Sequence, residues 1–175
     1  MITIIFEAHA TSLDNEAGLA SGWNDVALSS LGETQARQLG ERYVGKVFDA
    51  IFCSDLQRSY NTARLAFGDK FPIIQDKRLR ECDYGELTQV DKKIVDKEKA
   101  QRISAPFPRG ESYEQCCARM ESFLTDLKRD HDGEIIMIIG HRATQYGLER
   151  TVNGVGVADA VTAPWQYQPG WTYEF

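Results

Sequence analysis

The chain has 175 residues, 42% hydrophobic and 26% charged, which provides apolar material for one sizeable core and sets a single domain over 1–175 as the expectation. Its net charge of −6 excludes sequence-independent nucleic-acid binding, which needs a basic face to displace counterions from phosphates. A small anionic ligand stays open, because a few converging Arg and His residues make a positive pocket inside an acidic protein. No apolar run approaches the ~20 residues of a membrane-spanning helix. The opening MITIIFEAHA reaches Glu7 after a few apolar residues, so it reads as a strand rather than a signal peptide. Cys53, Cys82, Cys116 and Cys117 form no CxxC pair and have no His at zinc-ligand spacing. They read as free thiols of a reducing compartment, with a cytoplasmic location expected and no metal.

Ile2 to Phe6 is a continuous β-branched run suited to a strand buried on both faces. From Ser29, with Ser30 as a cap and Glu33 three residues later, apolar Leu31, Ala36, Leu39 and Tyr43 predict an amphipathic helix ending at Gly45. Phe48 to Cys53 reads as a strand, and Leu56 to Phe67 as a helix capped by Ser54 or Asp55 and stopped by Gly68. Phe71 to Ile74, with Pro72 near its start, suits a strand beginning or an edge. Thr88 to Arg102 reads as an exposed helix leading into a loop through Pro106 and Pro108. Glu111 to Asp130 is a long amphipathic helix with Cys116, Met120, Phe123, Leu124 and Leu127 on one side. The run at 135–139 repeats the first strand's character, Thr144 to Val152 restarts a helix, and the closing WTYEF suits an edge strand. Strands alternating with helices imply an α/β fold with a largely parallel sheet covered on both faces, whose ligands gather at the carboxyl ends of the strands.

Two of the three histidines, His9 and His141, directly follow the two most apolar strands, in FEAHATS and IIGHRAT. Around them the sequence resembles the histidine phosphatase (phosphoglycerate mutase-like) superfamily. EAHATSLDN followed by SGWNDVALSSLG resembles that family's RHGxTxxN…GWxDxxLxxxG opening, CSDLQRSYNTA its SxLxRxxxTA segment, LRECDYGEL its LxExxFGxxE, RGES its GGES, and IIGHRAT its second-histidine element. The matches keep the family's order from residue 2 to about 150. The resemblance implies a three-layer αβα sandwich with a short cap insertion at about 86–110. It places His9 as the nucleophile, Arg58 and Asn15 as phosphate ligands, Glu81 as the proton donor and His141 as the second histidine.

Elementary chemistry supports those roles. Phosphoryl transfer requires positive charge around the equatorial oxygens, an in-line nucleophile and a proton for the leaving oxygen. Neutral imidazole forms a covalent phosphohistidine and splits one displacement into two. Arg58, one turn into a helix, can fork onto phosphate oxygens, or else pair with Asp55. Glu81 must be protonated to act as an acid; Asp83, two residues on, is either the neighbour that raises its pKa or the acid itself. Asn15 is a phosphate ligand or a plain turn residue.

The chain departs from the pattern at Ala8, where the family carries Arg, and also at Ala10, Arg142 and Glu7. Losing one preorganised donor costs ~10²–10³ in rate. Arg142 is expected to compensate by binding phosphate from the loop of the second histidine, with a pair to Glu7 or a solvent-facing position at the helix start as the alternatives. The expected function is hydrolysis of a small phosphorylated metabolite through a phosphohistidine on His9, with no cofactor. The alternative is a weak or inactive relative that binds phosphorylated ligands, inorganic phosphate or a protein partner, and a phosphomutase ranks behind both because the insertion between Gly85 and Gly110 is short. A monomer or homodimer is expected. Trp165, Tyr167 and Trp171 either line a pocket or pack the C-terminal edge.

Overall fold

The computed structural model describes residues 1–175. Its five strands are β1 (Thr3–Ala8), β2 (Ala50–Cys53), β3 (Ile73–Gln75), β4 (Ile135–Gly140) and β5 (Trp171–Glu174), arranged as β3-β2-β4-β1-β5. All neighbours run parallel except β5, which lies antiparallel along β1 at the edge. The helices are α1 (Leu13–Ala17), α2 (Ser30–Arg42), α3 (Gln57–Phe67), α4 (Lys92–Glu98), α5 (Tyr113–Asp130), α6 (Arg142–Thr151) and α7 (Val157–Thr162). No helix is long and apolar enough to cross a membrane.

The central strands β1 and β4 are mostly apolar, Glu7 excepted, because both their faces are covered. Ile2, Ile4, Phe6, Ile136 and Ile138 pack with Met120, Phe123 and Leu124 of α5 and Leu148 of α6. On the other face Ile51, Met137 and Ile139 pack with Leu39 of α2 and Ala63 and Phe67 of α3. The result is the three-layer αβα arrangement with a mostly parallel sheet.

Tertiary structure reassigns several of the expected caps. Ser29, not Ser30, caps α2, its side chain accepting from the Gly32 N–H. Neither Ser54 nor Asp55 caps α3; Asp25, 32 residues upstream, accepts from the Gln57 N–H at 2.7 Å. The charged segment after residue 88 is a 7-residue α4 running into a 3-10 turn, Lys99–Arg102. The short helices α1 and α7 carry too little periodicity to be read from sequence. All four cysteines are free and buried.

Helices α2 and α3 cross at Gly40, where an added Cβ would lie 2.1 Å from the Ala66 carbonyl oxygen. Backbone cannot retreat as a side chain would, so Gly40→Ala should destabilise the fold by about 1–3 kcal/mol, the usual cost of overpacking. Urea unfolding reads this as a lowered midpoint at unchanged slope; an unchanged midpoint would mean the helices separate freely there.

Candidate active site

Parallel pairing of β1 with β4, in the register Ala8↔Gly140, ends both strands at the same level. The His9 N–H donates to the Gly140 carbonyl at 2.9 Å, and the two imidazoles that follow lie with ring centroids 4.9 Å apart. His9 Nδ1 sits 2.7 Å from the Ala10 carbonyl oxygen. A carbonyl only accepts, so Nδ1 carries the proton and the Nε2 lone pair is left free. The loop holding His9 is itself fixed: Ala10 N–H donates to Thr62 Oγ1 at 3.0 Å, and Thr11 N–H to Gln35 Oε1 at 3.0 Å. Gly32 of α2 is so close beneath that a Cβ would meet the Thr11 carbonyl at 1.9 Å.

His141 is 1% exposed and caps α6, its N–H donating to Thr144 Oγ1 at 2.9 Å. Its Nε2 lies 2.7 Å from Ser54 Oγ, and its Nδ1 is buried with no partner. Ser54, expected as a helix cap, therefore orients the second imidazole instead.

Arg58, also 1% exposed, is not paired with Asp55; that carboxylate is forked by Arg80 at 2.7 and 2.6 Å. The Arg58 guanidinium donates to the Asn24 and Gly22 carbonyls, both at 2.8 Å, and keeps its other N–H groups. The loop 22–25 is thus a staple: its carbonyls hold Arg58, Asp25 caps α3, and Trp23 Nε1 donates to the Glu81 carbonyl at 2.7 Å.

Burial, then the Arg58 charge, pushes His9 down to about 3, with the Ala10 carbonyl acting in the opposite direction. His141 is also held well below the usual imidazole range, by burial first and then by Arg58. Both rings are neutral at physiological pH.

Glu81 Oε1 accepts from the Cys82 N–H at 2.8 Å and from the Ala143 N–H of α6 at 3.2 Å, leaving Oε2 unengaged. The Ala143 contact holds the Glu81 side chain at the start of α6, two residues from His141. Arg119, absent from the sequence expectations, holds the Glu81 segment by donating to the carbonyls of Arg78, Arg80 and Glu81 at 2.6–2.8 Å. Its guanidinium is neutralised by Glu111, whose Oε2 also accepts from the Asp83 N–H at 3.0 Å. Asp83 turns its own carboxylate onto the Gly85 N–H at 2.9 Å. Asn15 is exposed, and its Oδ1 accepts from the Ser12 N–H in the capping box of α1.

Arg142 does not reach Glu7. Glu7 shares the α2–α3 face of β1 with Ile5, where its Oε1 accepts from Tyr43 Oη at 2.7 Å and Arg42 Nη2 at 3.2 Å. The Arg142 guanidinium lies 5.0 Å from the ring centroids of both Tyr146 and Trp165, and donates to Gln145 Oε1 at 3.2 Å. Trp171 packs the edge against Phe6, while Trp165 and Tyr167 stay 41% and 53% exposed. No three His, Cys, Asp or Glu side chains converge as a metal ion would require.

Two neutral imidazoles, a buried guanidinium and a carboxylate thus gather at the carboxyl ends of a parallel sheet. Residues 4–167 match the profile of the histidine phosphatase superfamily (branch 1), and the chain belongs to that superfamily. It is 32% identical over 171 residues to a 2,3-bisphosphoglycerate-dependent phosphoglycerate mutase of Cytophaga hutchinsonii, covering 86% of this chain and 78% of that one. It is 25% identical over 169 residues to phosphoserine phosphatase 1 of Hydrogenobacter thermophilus, covering 90% and 79%. The fold superposes on Bacillus stearothermophilus YhfR with a TM-score of 0.84 at 24% identity, over 97% of this chain and 88% of that one.

The depressed imidazoles make stability pH-dependent. Below about pH 6.5 the unfolded chain binds a proton at His9 that the folded chain refuses until about 3, so stability falls as pH falls through that window. Between pH 7 and 5 the His9 contribution amounts to at most about 2 kcal/mol. Urea unfolding should show His9→Gln losing less stability over this range than wild type; parallel losses would mean that His9 is not held neutral.

Proposed function

We propose that the chain is a phosphomonoester hydrolase working through a phosphohistidine on His9, with a small phosphorylated metabolite as substrate. The observation that carries this reading is the His9–His141 pair: one ring is locked by the Ala10 carbonyl with Nε2 free, and the other, 4.9 Å away, holds a buried Nδ1 with no protein partner. His9 Nε2 attacks phosphorus in line, and the bond from phosphorus to the leaving oxygen breaks. Arg58 and a proton on His141 Nδ1, kept there when the Ser54 hydroxyl donates to Nε2, stabilise the equatorial oxygens. The Arg142 N–H, in the first turn of α6, adds positive potential there, so Arg142 serves the phosphoryl group through its backbone N–H rather than its guanidinium. Asn15, through its remaining amide N–H groups, is a secondary ligand at most.

Glu81 is the acid. Its Oε1 is occupied by two backbone N–H groups, and Oε2 delivers to the leaving oxygen a proton that Glu81 regains from water in the second step. In the second step Glu81 takes a proton from water, the water oxygen bonds to phosphorus, the P–N bond breaks, and inorganic phosphate leaves. Asp83, spent on its own turn, is the weaker assignment. Residues 86–110 form a short cap that joins the site's rim, with Ala20 and Gln89–Val90 exchanging backbone hydrogen bonds. A mutase must shield its intermediate from water, and this cap is small for that task.

His9→Ala should abolish turnover of p-nitrophenyl phosphate, and acid-labile, base-stable phosphate should be trapped on wild type alone. Equal activity in the two proteins would remove His9 from the chemistry. Vanadate, a mimic of the five-coordinate phosphoryl group, should inhibit wild type; vanadate binding without any turnover would select the second reading, a phosphate-binding relative, which Ala8 favours. Glu81→Gln should slow alkyl phosphates at least tenfold more than p-nitrophenyl phosphate, whose leaving oxygen scarcely needs a proton. Equal slowing, or a larger leaving-group effect in Asp83→Asn, would move the acid elsewhere.

A further inference from the structure

In a chain with more acidic than basic residues, most guanidinium groups are spent: Arg37, Arg42, Arg78, Arg80, Arg102, Arg109, Arg119 and Arg129 each have a carboxylate partner, and only Arg58, Arg64, Arg142 and Arg150 do not. Arg142 has none, although it is only partly exposed. It is nevertheless held firmly in place. Its guanidinium carbon lies 5.0 Å from two aromatic centroids, Tyr146 one helical turn on and Trp165 from the segment before β5. Gln145 Oε1 accepts from Arg142 Nη1 at 3.2 Å and from Trp165 Nε1 at 3.0 Å, tying ring and guanidinium into one unit. The acceptors beside the Arg142 guanidinium, Gln145 Oε1 and the Tyr146 hydroxyl, are both uncharged. Stacking on aromatic faces favours a cation without neutralising it, so the charge is preorganised and unspent.

The position of this charge relative to the histidines indicates what it serves. Arg142 follows His141 directly and opens α6, and its guanidinium lies beside Tyr146 and Trp165. The other cation acting on Tyr146, Lys99, is already paired with Asp96 at 2.7 Å. One planar, singly charged fork awaits one planar, singly charged anion, whereas a second phosphate would call for more than one cation.

We propose that Arg142 is a specificity-determining residue that takes a carboxylate on the substrate beyond the transferred phosphoryl group, with Tyr146 and Trp165 as its walls. The substrates are then phosphomonoesters that also carry a carboxylate. This rests on the phosphatase reading above, and deepens it.

The test uses pairs of esters that differ only by a carboxylate: phosphoserine against phosphoethanolamine, and 3-phosphoglycerate against 2-hydroxyethyl phosphate. Wild type should prefer the carboxylated member of at least one pair in kcat/KM. Arg142→Ala should reduce that preference by about 10- to 100-fold, the range for a lost charge-assisted bond. Most of the loss should fall in KM, and Arg142→Lys should restore part of it. No preference in wild type for either pair, or equal slowing of both members in Arg142→Ala, would overturn the proposal. Calorimetric titration of the same pairs into His9→Ala protein reads the carboxylate contribution without turnover. Failure of every ester to turn over, with carboxylate-dependent binding intact, would thus sink the phosphatase reading and not this one.

Discussion

The site depends on one piece of backbone pairing, the parallel register of β1 with β4. Because Ala8 stands opposite Gly140 and the His9 N–H is carried on to the Gly140 carbonyl, the two residues that follow emerge side by side. A slip of one residue would turn His9 to the opposite face and separate the rings. Gly140 adds a steric condition of its own: a Cβ there would lie 2.5 Å from Thr144 Oγ1, the atom that receives the His141 N–H. The strand end, the helix cap and the second imidazole are set by the same few atoms.

Around that pairing the protein arranges its charges so that the imidazoles remain neutral. Burial costs each imidazole its proton, and Arg58 adds to the cost from a position held by two backbone carbonyls instead of a carboxylate. Had Arg58 been neutralised by Asp55, its effect on both rings and on an incoming anion would have been largely cancelled. Arg80 takes Asp55 instead and stacks on Trp23 at 4.8 Å, so the cation nearest the rings stays unspent. Arg119 and Glu111 complement this arrangement as a compact ion pair, whose role is to hold the Glu81 segment against the start of α6.

Buried acid is handled differently at Glu7. This carboxylate is fully buried, and one of its oxygens has no partner. Arg42 and the Tyr43 hydroxyl hold the other oxygen, and Arg42 also donates to the Tyr167 hydroxyl at 3.1 Å. The segment carrying Trp165 and Tyr167 is thereby anchored on one side of the sheet by Arg42 and on the other by Gln145 and Arg142.

Periodicity and the two apolar strands were enough to reveal the alternating α/β order, the central positions of β1 and β4, the edge position of β5 and the two histidines, because those features are local in the chain. The order of the FEAHATS, CSDLQRSYNTA, LRECDYGEL and IIGHRAT segments likewise identified the superfamily. Partner choice was not legible there. Ser54 and Asp55 looked like helix caps and serve His141 and Arg80; Asp25 caps a helix 32 residues away; Arg142 looked bound for phosphate or Glu7 and lies between Tyr146 and Trp165. A polar side chain takes whichever partner the packed sheet and helices bring within about 3 Å, and that proximity exists only after segments distant in the chain have been folded together.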